Sequence, residues 1–155
     1  MMTFTTTTPE GTEALGRRLG ALLGPGDQLH LIADLGVGKT VLARGVIRVA
    51  VGAEVEVPSP TFSLVLNYEG DCPIAHADLY RTEDPSEVLE LGLEDALDRG
   101  ALVVEWPGHG EGYLPNGALT ITGTQGEGDT RQWQIAGDAV WQKRLEELER
   151  QSSQT

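Results

Sequence analysis

The sequence contains few of the residues on which several classes of protein depend. One cysteine, Cys72, in 155 residues excludes an internal disulfide and a multi-cysteine metal site, and is typical of a reducing compartment. No stretch approaches the roughly 20 apolar residues of a membrane-spanning helix. Residues 1–10 lack the basic and apolar segments of a secretory signal. These features lead us to expect a cytoplasmic protein.

Basic residues are also scarce, with 11 lysines and arginines against 24 acidic residues and a net charge of −13. A chain of this charge repels nucleic acid and lacks the basic surface that binds a duplex. The acid is concentrated in residues 82–111, where Arg99 is the one basic residue beside Glu83, Asp84, Glu87, Glu90, Glu94, Asp95, Asp98, Glu105 and Glu111. This segment is either a solvated surface or a docking surface for a basic partner.

Residues 33–40 differ at one position from the phosphate-binding pattern G-x-x-x-x-G-K-[ST], because Ala33 replaces the first glycine. In that loop, backbone N–H groups surround phosphates, the lysine reaches the terminal phosphates and the hydroxyl binds Mg²⁺. A predicted strand at 28–32 and a predicted helix at 41–51 would place a helix N-terminus at the phosphates. Lys39 is one of two lysines in the chain. The alternative is a glycine-rich turn without a ligand. The predicted nucleotide-binding residues are Asp34, Leu35, Gly36, Val37, Gly38, Lys39, Thr40 and Val41.

The length of 155 residues predicts a single domain over residues 1–155, and the alternation of predicted strands and helices predicts an α/β fold. We expect a three-layer sandwich like that of P-loop NTPases, with a mixed, mostly parallel central sheet. Helices are predicted at 9–23, 84–97 with a break near Gly92, and 138–150, followed by a disordered tail at about 151–155. Strands are predicted at 62–68, 73–77, 101–104, 119–122 and 132–135.

Three other segments carry candidate functional residues. Glu105 follows a continuous apolar strand, so it is either a carboxylate beside the phosphate loop or the exposed end of a strand. The segment 76–81 places His76, Asp78 and Tyr80 on one side if its strand continues, and Asp78 is a candidate for holding metal or water. Residues 59–62 form either a simple proline turn or a switch that contacts phosphate. Trp106 either packs in the core or shields the site from water.

Four motifs together closely resemble the bacterial TsaE family over residues 12–115. They are Asp34-Leu35-Gly36-Val37-Gly38-Lys39-Thr40, Ser59-Pro60-Thr61-Phe62, His76-Ala77-Asp78-Leu79-Tyr80-Arg81 and Glu105-Trp106-Pro107. The resemblance implies an ATPase, weak alone and activated by the TsaB and TsaD proteins, that serves the threonylcarbamoyladenosine modification of tRNA. TsaB and TsaD, not this chain, would contact the tRNA.

The resemblance also implies roles for individual residues. Lys39 would hold the phosphates of ATP, Thr40 and Glu105 would bind Mg²⁺, and Asp78 would support hydrolysis, so the catalytic set is Lys39, Asp78 and Glu105. Residues 59–62 would be the switch. The chain departs from the family at Ala33, where glycine is usual, and at Val41, where a second threonine is usual. Two other functions stay open: a small-molecule kinase, against which the scattered arginines argue, and a nucleotide-sensing module that does not hydrolyse ATP.

Overall fold

The computed structural model describes residues 2–34, 36–58 and 64–153, and its framework is one seven-stranded sheet. The strands are β1 (Met2–Thr6), β2 (Gln28–Ile32), β3 (Val65–Tyr68), β4 (Ile74–Asp78), β5 (Ala101–Glu105), β6 (Leu119–Gln125) and β7 (Arg131–Ala136). The α-helices are α1 (Pro9–Gly20), α2 (Lys39–Val51), α3 (Leu93–Arg99) and α4 (Ala139–Ser153). Two 3₁₀ helices span Pro85–Leu91 and Pro107–Gly110.

The strand order is β1-β7-β6-β2-β5-β4-β3. The four central strands, β6, β2, β5 and β4, run parallel, while β7 pairs antiparallel with β6 and β1, and β3 pairs antiparallel with β4. The predicted mixed sheet is therefore confirmed. Short turns join β3 to β4 and β6 to β7, and a short turn permits only antiparallel pairing, whereas β1 reaches the edge beside β7 from the other end of the chain.

Helices cover both faces of the sheet, as the predicted three-layer arrangement requires. One core lies between the sheet and α1, α2 and α4, and includes Leu29 and Val103 from the central strands. The other core lies beneath the first 3₁₀ helix and α3, and includes Leu102 and Val104. Since alternate residues of β5 enter different cores, the continuous apolar run at 101–104 is explained by burial on both faces.

Helices α1 and α2 pack closely because glycine occupies their contact. A methyl group on Gly16 would collide with the backbone oxygen of Leu42, and one on Gly45 would collide with the backbone oxygen of Glu13. The first turn of α1 is held by Thr8, whose Oγ1 accepts a hydrogen bond of 3.0 Å from the N–H of Gly11. The α1 contact thus fixes α2, and with it the end of α2 that follows the glycine-rich turn.

Several predicted boundaries are moved by the structure. Helix α1 ends at Gly20 and not near residue 23, and the predicted helix at 84–97 is a 3₁₀ helix as far as Leu91, with α3 starting after Gly92 at φ 69°. The predicted strand at 62–68 is found at Val65–Tyr68, and its first two residues lie outside the described part of the chain. Helix α4 extends to Ser153, beyond the predicted start of the tail, and residues 154–155 are outside that part. Of the described helices, none has the length and apolar character to span a membrane.

Candidate functional site

The glycine-rich turn connects the C-terminal end of β2 to the first residue of α2. Gly36 and Gly38 have φ values of 86° and 111°, which glycine adopts without the steric cost of a Cβ atom. Gly38 stands at the N-cap position and provides no side-chain cap, so it leaves the first N–H groups of α2 to other acceptors. Such an end of a helix attracts anions. Leu35, one of the predicted nucleotide-binding residues, lies outside the described residues.

Ala33, the residue that departs from the loop pattern, is buried with 6% of its surface exposed. Alanine would be strained there only at a positive φ. Among the described non-glycine residues, positive φ occurs at Leu64 and Trp106 and not at Ala33. The replacement of glycine at this position therefore introduces no left-handed backbone strain.

Lys39 starts α2 and turns its side chain into the protein. The residue is 6% exposed, and its Nζ lies 3.9 Å from the ring centroid of Trp106. Nζ has no hydrogen-bond partner among the described residues. Burial lowers the pKa of the Lys39 ammonium below its usual value, while the negative charges of Glu105, Asp78 and Asp34 act in the opposite direction. The ammonium is thus buried near three carboxylates without a hydrogen bond to any of them.

Asp78 and Glu105 are neighbours across two parallel strands. They are paired in the register of β4 and β5, and their exposed fractions are 6% and 3%. Both lie at the C-terminal ends of their strands, where ligands of open α/β sheets bind. The alternative of an exposed Glu105 is wrong, because the carboxylate is buried. The structure therefore brings Lys39, Asp78 and Glu105 together, although 66 residues of sequence separate the first from the last.

His76 is the partner of Glu105. The imidazole is fully buried, and its Nε2 lies 2.6 Å from Oε2 of Glu105. An ionised carboxylate only accepts hydrogen bonds, so Nε2 donates to it. Nδ1 has no partner within the described residues. This contact restricts the orientation of the Glu105 carboxylate, and the motif at 76–81 did not predict it.

An aromatic cluster covers the Lys39 side chain. Trp106, with a φ of 57°, turns the chain away from β5, and its ring centroid lies 5.0 Å from that of Tyr80 and 5.7 Å from that of His109. His109 Nδ1 is 2.9 Å from the backbone oxygen of Leu79. Strand β4 ends at Asp78, so the alternation considered for Tyr80 does not reach it, and Tyr80 is 44% exposed. The predicted switch at 59–62 lies outside the described residues.

A cavity of about 410 Å³ lies beside the loop and was missed by the sequence analysis. Its walls come from the segment before and within α1, from the loop, and from the end of the β6–β7 turn: Thr7, Thr8, Pro9, Glu10, Thr12, Gly36, Val37, Gly38, Val41, Asp129 and Arg131. Arg131 Nε donates to the backbone oxygen of Val37 at 3.1 Å, which joins the strand β7 to the loop. The glycine-rich motif contributes only Gly36, Val37, Gly38 and Val41, and the sequence analysis missed the cavity because its other walls come from segments far apart in the chain.

The fold and this geometry define an α/β protein in which a glycine-rich turn, a buried lysine and two carboxylates meet at the C-terminal ends of parallel strands. Comparison with known sequences narrows this class. A family described as "Threonylcarbamoyl adenosine biosynthesis protein TsaE" matches residues 6–133. The chain belongs to the TsaE family.

Relatives and a solved structure are consistent with this membership. The chain is 38% identical over 129 residues to the "tRNA threonylcarbamoyladenosine biosynthesis protein TsaE" of Bacillus subtilis, covering 82% of this chain and 80% of the relative. It is 40% identical over 98 residues to the protein of the same name from Rickettsia conorii, covering 63% of this chain and 56% of the relative. The match thus spans little more than half of the rickettsial protein. The crystal structure of B. subtilis YdiB superposes with a TM-score of 0.83 at 30% identity, covering 97% of this chain and 95% of that one.

Proposed function

We propose that this chain binds ATP and Mg²⁺ at the glycine-rich turn and hydrolyses the ATP as an accessory protein of tRNA threonylcarbamoyladenosine biosynthesis. The observation that carries the proposal is the buried Nζ of Lys39, which lacks a hydrogen-bond partner among the described residues and lies at the N-terminus of α2. A buried ammonium without a partner is costly. The phosphates of a nucleotide would supply both the missing acceptor and the compensating charge.

The donor set also suits Mg²⁺ bound with a nucleotide. Mg²⁺ keeps several waters and is held by one or two protein oxygens together with substrate phosphates. No group of three or more acidic, histidine or cysteine side chains that could hold a metal by itself occurs in the described ranges. Thr40 and Glu105 would complete such a site, with His76 restricting the Glu105 carboxylate. When bound, the ion would neutralise charge on the phosphates.

The remaining residues have separate tasks in this proposal. The N–H groups of residues 34–41 would surround the phosphates, and Lys39 would leave Trp106 to reach the terminal ones. Asp78, beside Glu105, would orient the attacking water. The cavity at Arg131 would take the nucleoside, since its volume of about 410 Å³ lies within the usual range for small-molecule sites.

The proposed partners are the TsaB and TsaD proteins, and the proposed location is the cytoplasm. The names of the relatives connect them to tRNA modification. With a net charge of −13, this chain is poorly suited to contacting tRNA directly. A partner complex would therefore contact the RNA, and this chain would act on that complex.

The deciding experiment measures ATP hydrolysis by the chain alone and with TsaB and TsaD. We expect slow phosphate release alone and stimulation by the partners. Thermal unfolding with MgATP tests the site itself, because a ligand that binds only the folded state stabilises it. Lys39→Ala should abolish this stabilisation, whereas Lys143→Ala, which removes the other lysine from an exposed position on α4, should preserve it. Retained stabilisation in Lys39→Ala would refute the site. Stabilisation without any hydrolysis, even with the partners, would favour the nucleotide-sensing alternative.

A further inference from the structure

The layer formed by the first 3₁₀ helix, α3 and the segment after the second 3₁₀ helix carries an excess of negative charge, with Arg99 as the basic residue of α3. Its exposed carboxylates are Glu83, Asp84, Glu87, Glu90, Glu94, Asp95, Asp98 and Glu111. Among the described residues, no ion pair joins any of these carboxylates to a basic side chain. Elsewhere, Glu13 and Glu54 pair with Arg48, and Asp27 pairs with Arg144. Eight exposed carboxylates without an ion pair among the described residues are thus concentrated in one layer.

An apolar groove opens within this acidic layer. We use the term acidic groove for the depression lined by Val88, Leu89, Leu93, Tyr113 and Pro115, with Glu94 and Asp95 at its edge. Leu89 is 66% exposed and Tyr113 is 43% exposed, so two large side chains face solvent here. The groove has a volume of about 160 Å³, which is below the usual 300–1,000 Å³ of small-molecule sites and is suited to a single apolar side chain.

We propose that the acidic groove docks a protein partner that inserts one apolar side chain and surrounds it with lysine or arginine side chains. Charge complementarity selects this occupant: basic side chains would neutralise the rim and accelerate association. Buried anchors of this type dominate the energy of many interfaces. A second copy of this chain is disfavoured because it would bring like-charged rims together, and an RNA is disfavoured for the same reason.

The groove is in packing contact with the candidate active site. A methyl group placed on Gly110, in the second 3₁₀ helix, would lie 2.8 Å from side-chain atoms of both Val88 and Leu79. Val88 forms part of the groove, and Leu79 follows Asp78 directly. His109, next to Gly110, contacts the Trp106 ring above Lys39. A partner bound in the groove would thus contact Val88 and, through it, the segment that covers Lys39.

The inference rests on the proposed function in one respect, because the complex of TsaD and TsaB is the partner it commits to. The test measures the dissociation constant of that complex for three forms of the chain by calorimetry, each at low and high salt. The forms are the unaltered chain, Leu89→Ala, and the double variant Glu94→Lys/Asp95→Lys. Matched controls are Val140→Ala, which truncates an exposed apolar residue on α4, and Glu69→Lys/Glu127→Lys, which makes the same charge change elsewhere.

We expect the dissociation constant to rise about tenfold or more in each groove variant and less than about twofold in each control. The charge variant should also lose most of the salt dependence of binding. Stabilisation by MgATP should be the same in all five proteins, which shows that they are folded and that the nucleotide site is intact.

Equal losses in groove and control variants, or no loss in the groove variants, would overturn the inference. If the unaltered chain does not bind the complex, the docking proposal fails, while stabilisation by ATP would leave the nucleotide-binding part of the proposed function standing. Self-association of the chain that depends on Leu89 would likewise overturn the docking inference.

Discussion

Replacing Lys39 by methionine should have opposite effects on stability with and without nucleotide. The Lys39 ammonium is buried, has no hydrogen-bond partner in the described part of the chain, and has a pKa lowered by burial. A buried polar group without a partner costs about 1–3 kcal/mol. Contact with the Trp106 ring offsets part of this cost, and methionine would retain a sulfur–aromatic contact there. We therefore expect Lys39→Met to raise the free energy of unfolding by about 1 kcal/mol without nucleotide.

With nucleotide bound, the unaltered protein should be more stable than Lys39→Met. At an ATP concentration of about 100 times the dissociation constant, the unaltered protein gains about 2.7 kcal/mol. The variant should gain almost nothing, so it becomes the less stable protein by about 1.7 kcal/mol. Thermal unfolding with and without MgATP measures both differences, which correspond to shifts of about 2–4 °C per kcal/mol for a chain of this size.

The pH dependence of the stability difference between Lys39→Met and the unaltered protein, measured without nucleotide, provides an independent check. Below the lowered pKa of Lys39, the ammonium is charged in both folded and unfolded chains, so its cost is present in full. Between that pKa and the unperturbed value near 10.4, the folded chain releases the proton first and the cost falls. The advantage of Lys39→Met should therefore shrink as the pH rises through the lowered pKa of Lys39 towards the unperturbed value. A variant that is less stable than the unaltered protein without nucleotide would show that the ammonium is favourably paired. Persistent ATP stabilisation would refute the assignment of the loop, and Lys143→Met serves as the control.

Three further predictions concern other parts of the molecule. Burial lowers the pKa of His30 to about 4. Lowering the pH from 6.5 to 4 should therefore reduce the free energy of unfolding of the unaltered protein by about 3 kcal/mol more than that of His30→Gln, as measured by urea unfolding. Equal pH profiles of the two proteins would contradict this. Gly45→Ala should lower the free energy of unfolding by at least about 1 kcal/mol, because the added methyl group would collide with the backbone of α1. The control is Gly108→Ala, whose methyl group would meet nothing within 4 Å and which should change the free energy of unfolding by less than about 0.5 kcal/mol. Glu105→Gln should bind ATP, as seen by thermal stabilisation, and lose Mg²⁺-dependent phosphate release; full hydrolysis would remove Glu105 from the site.

Much of the local structure follows from local patterns in the chain. The short apolar strand, the glycines at 36 and 38 and the helix after them are consecutive, so their arrangement depends on backbone preferences that neighbouring residues reveal. The continuous apolar run before Glu105 likewise indicates a strand buried on both faces. The 3₁₀ helix at Pro85–Leu91 was predicted as part of an α-helix, because spacing alone does not separate two helices of similar period.

The sequence by itself therefore determined the strand, turn and helix around Lys39 and the positions of Asp78 and Glu105 at the ends of strands. Only the tertiary structure decided that β5 lies between β2 and β4, which places Asp78 beside Glu105 and His76 within hydrogen-bond distance of it. It also decided that Lys39 packs on Trp106 and that the segment before α1 meets Arg131 to form the cavity. The physical reason is that backbone preferences act between neighbours in the chain, whereas strand order and side-chain packing depend on contacts between segments far apart in sequence.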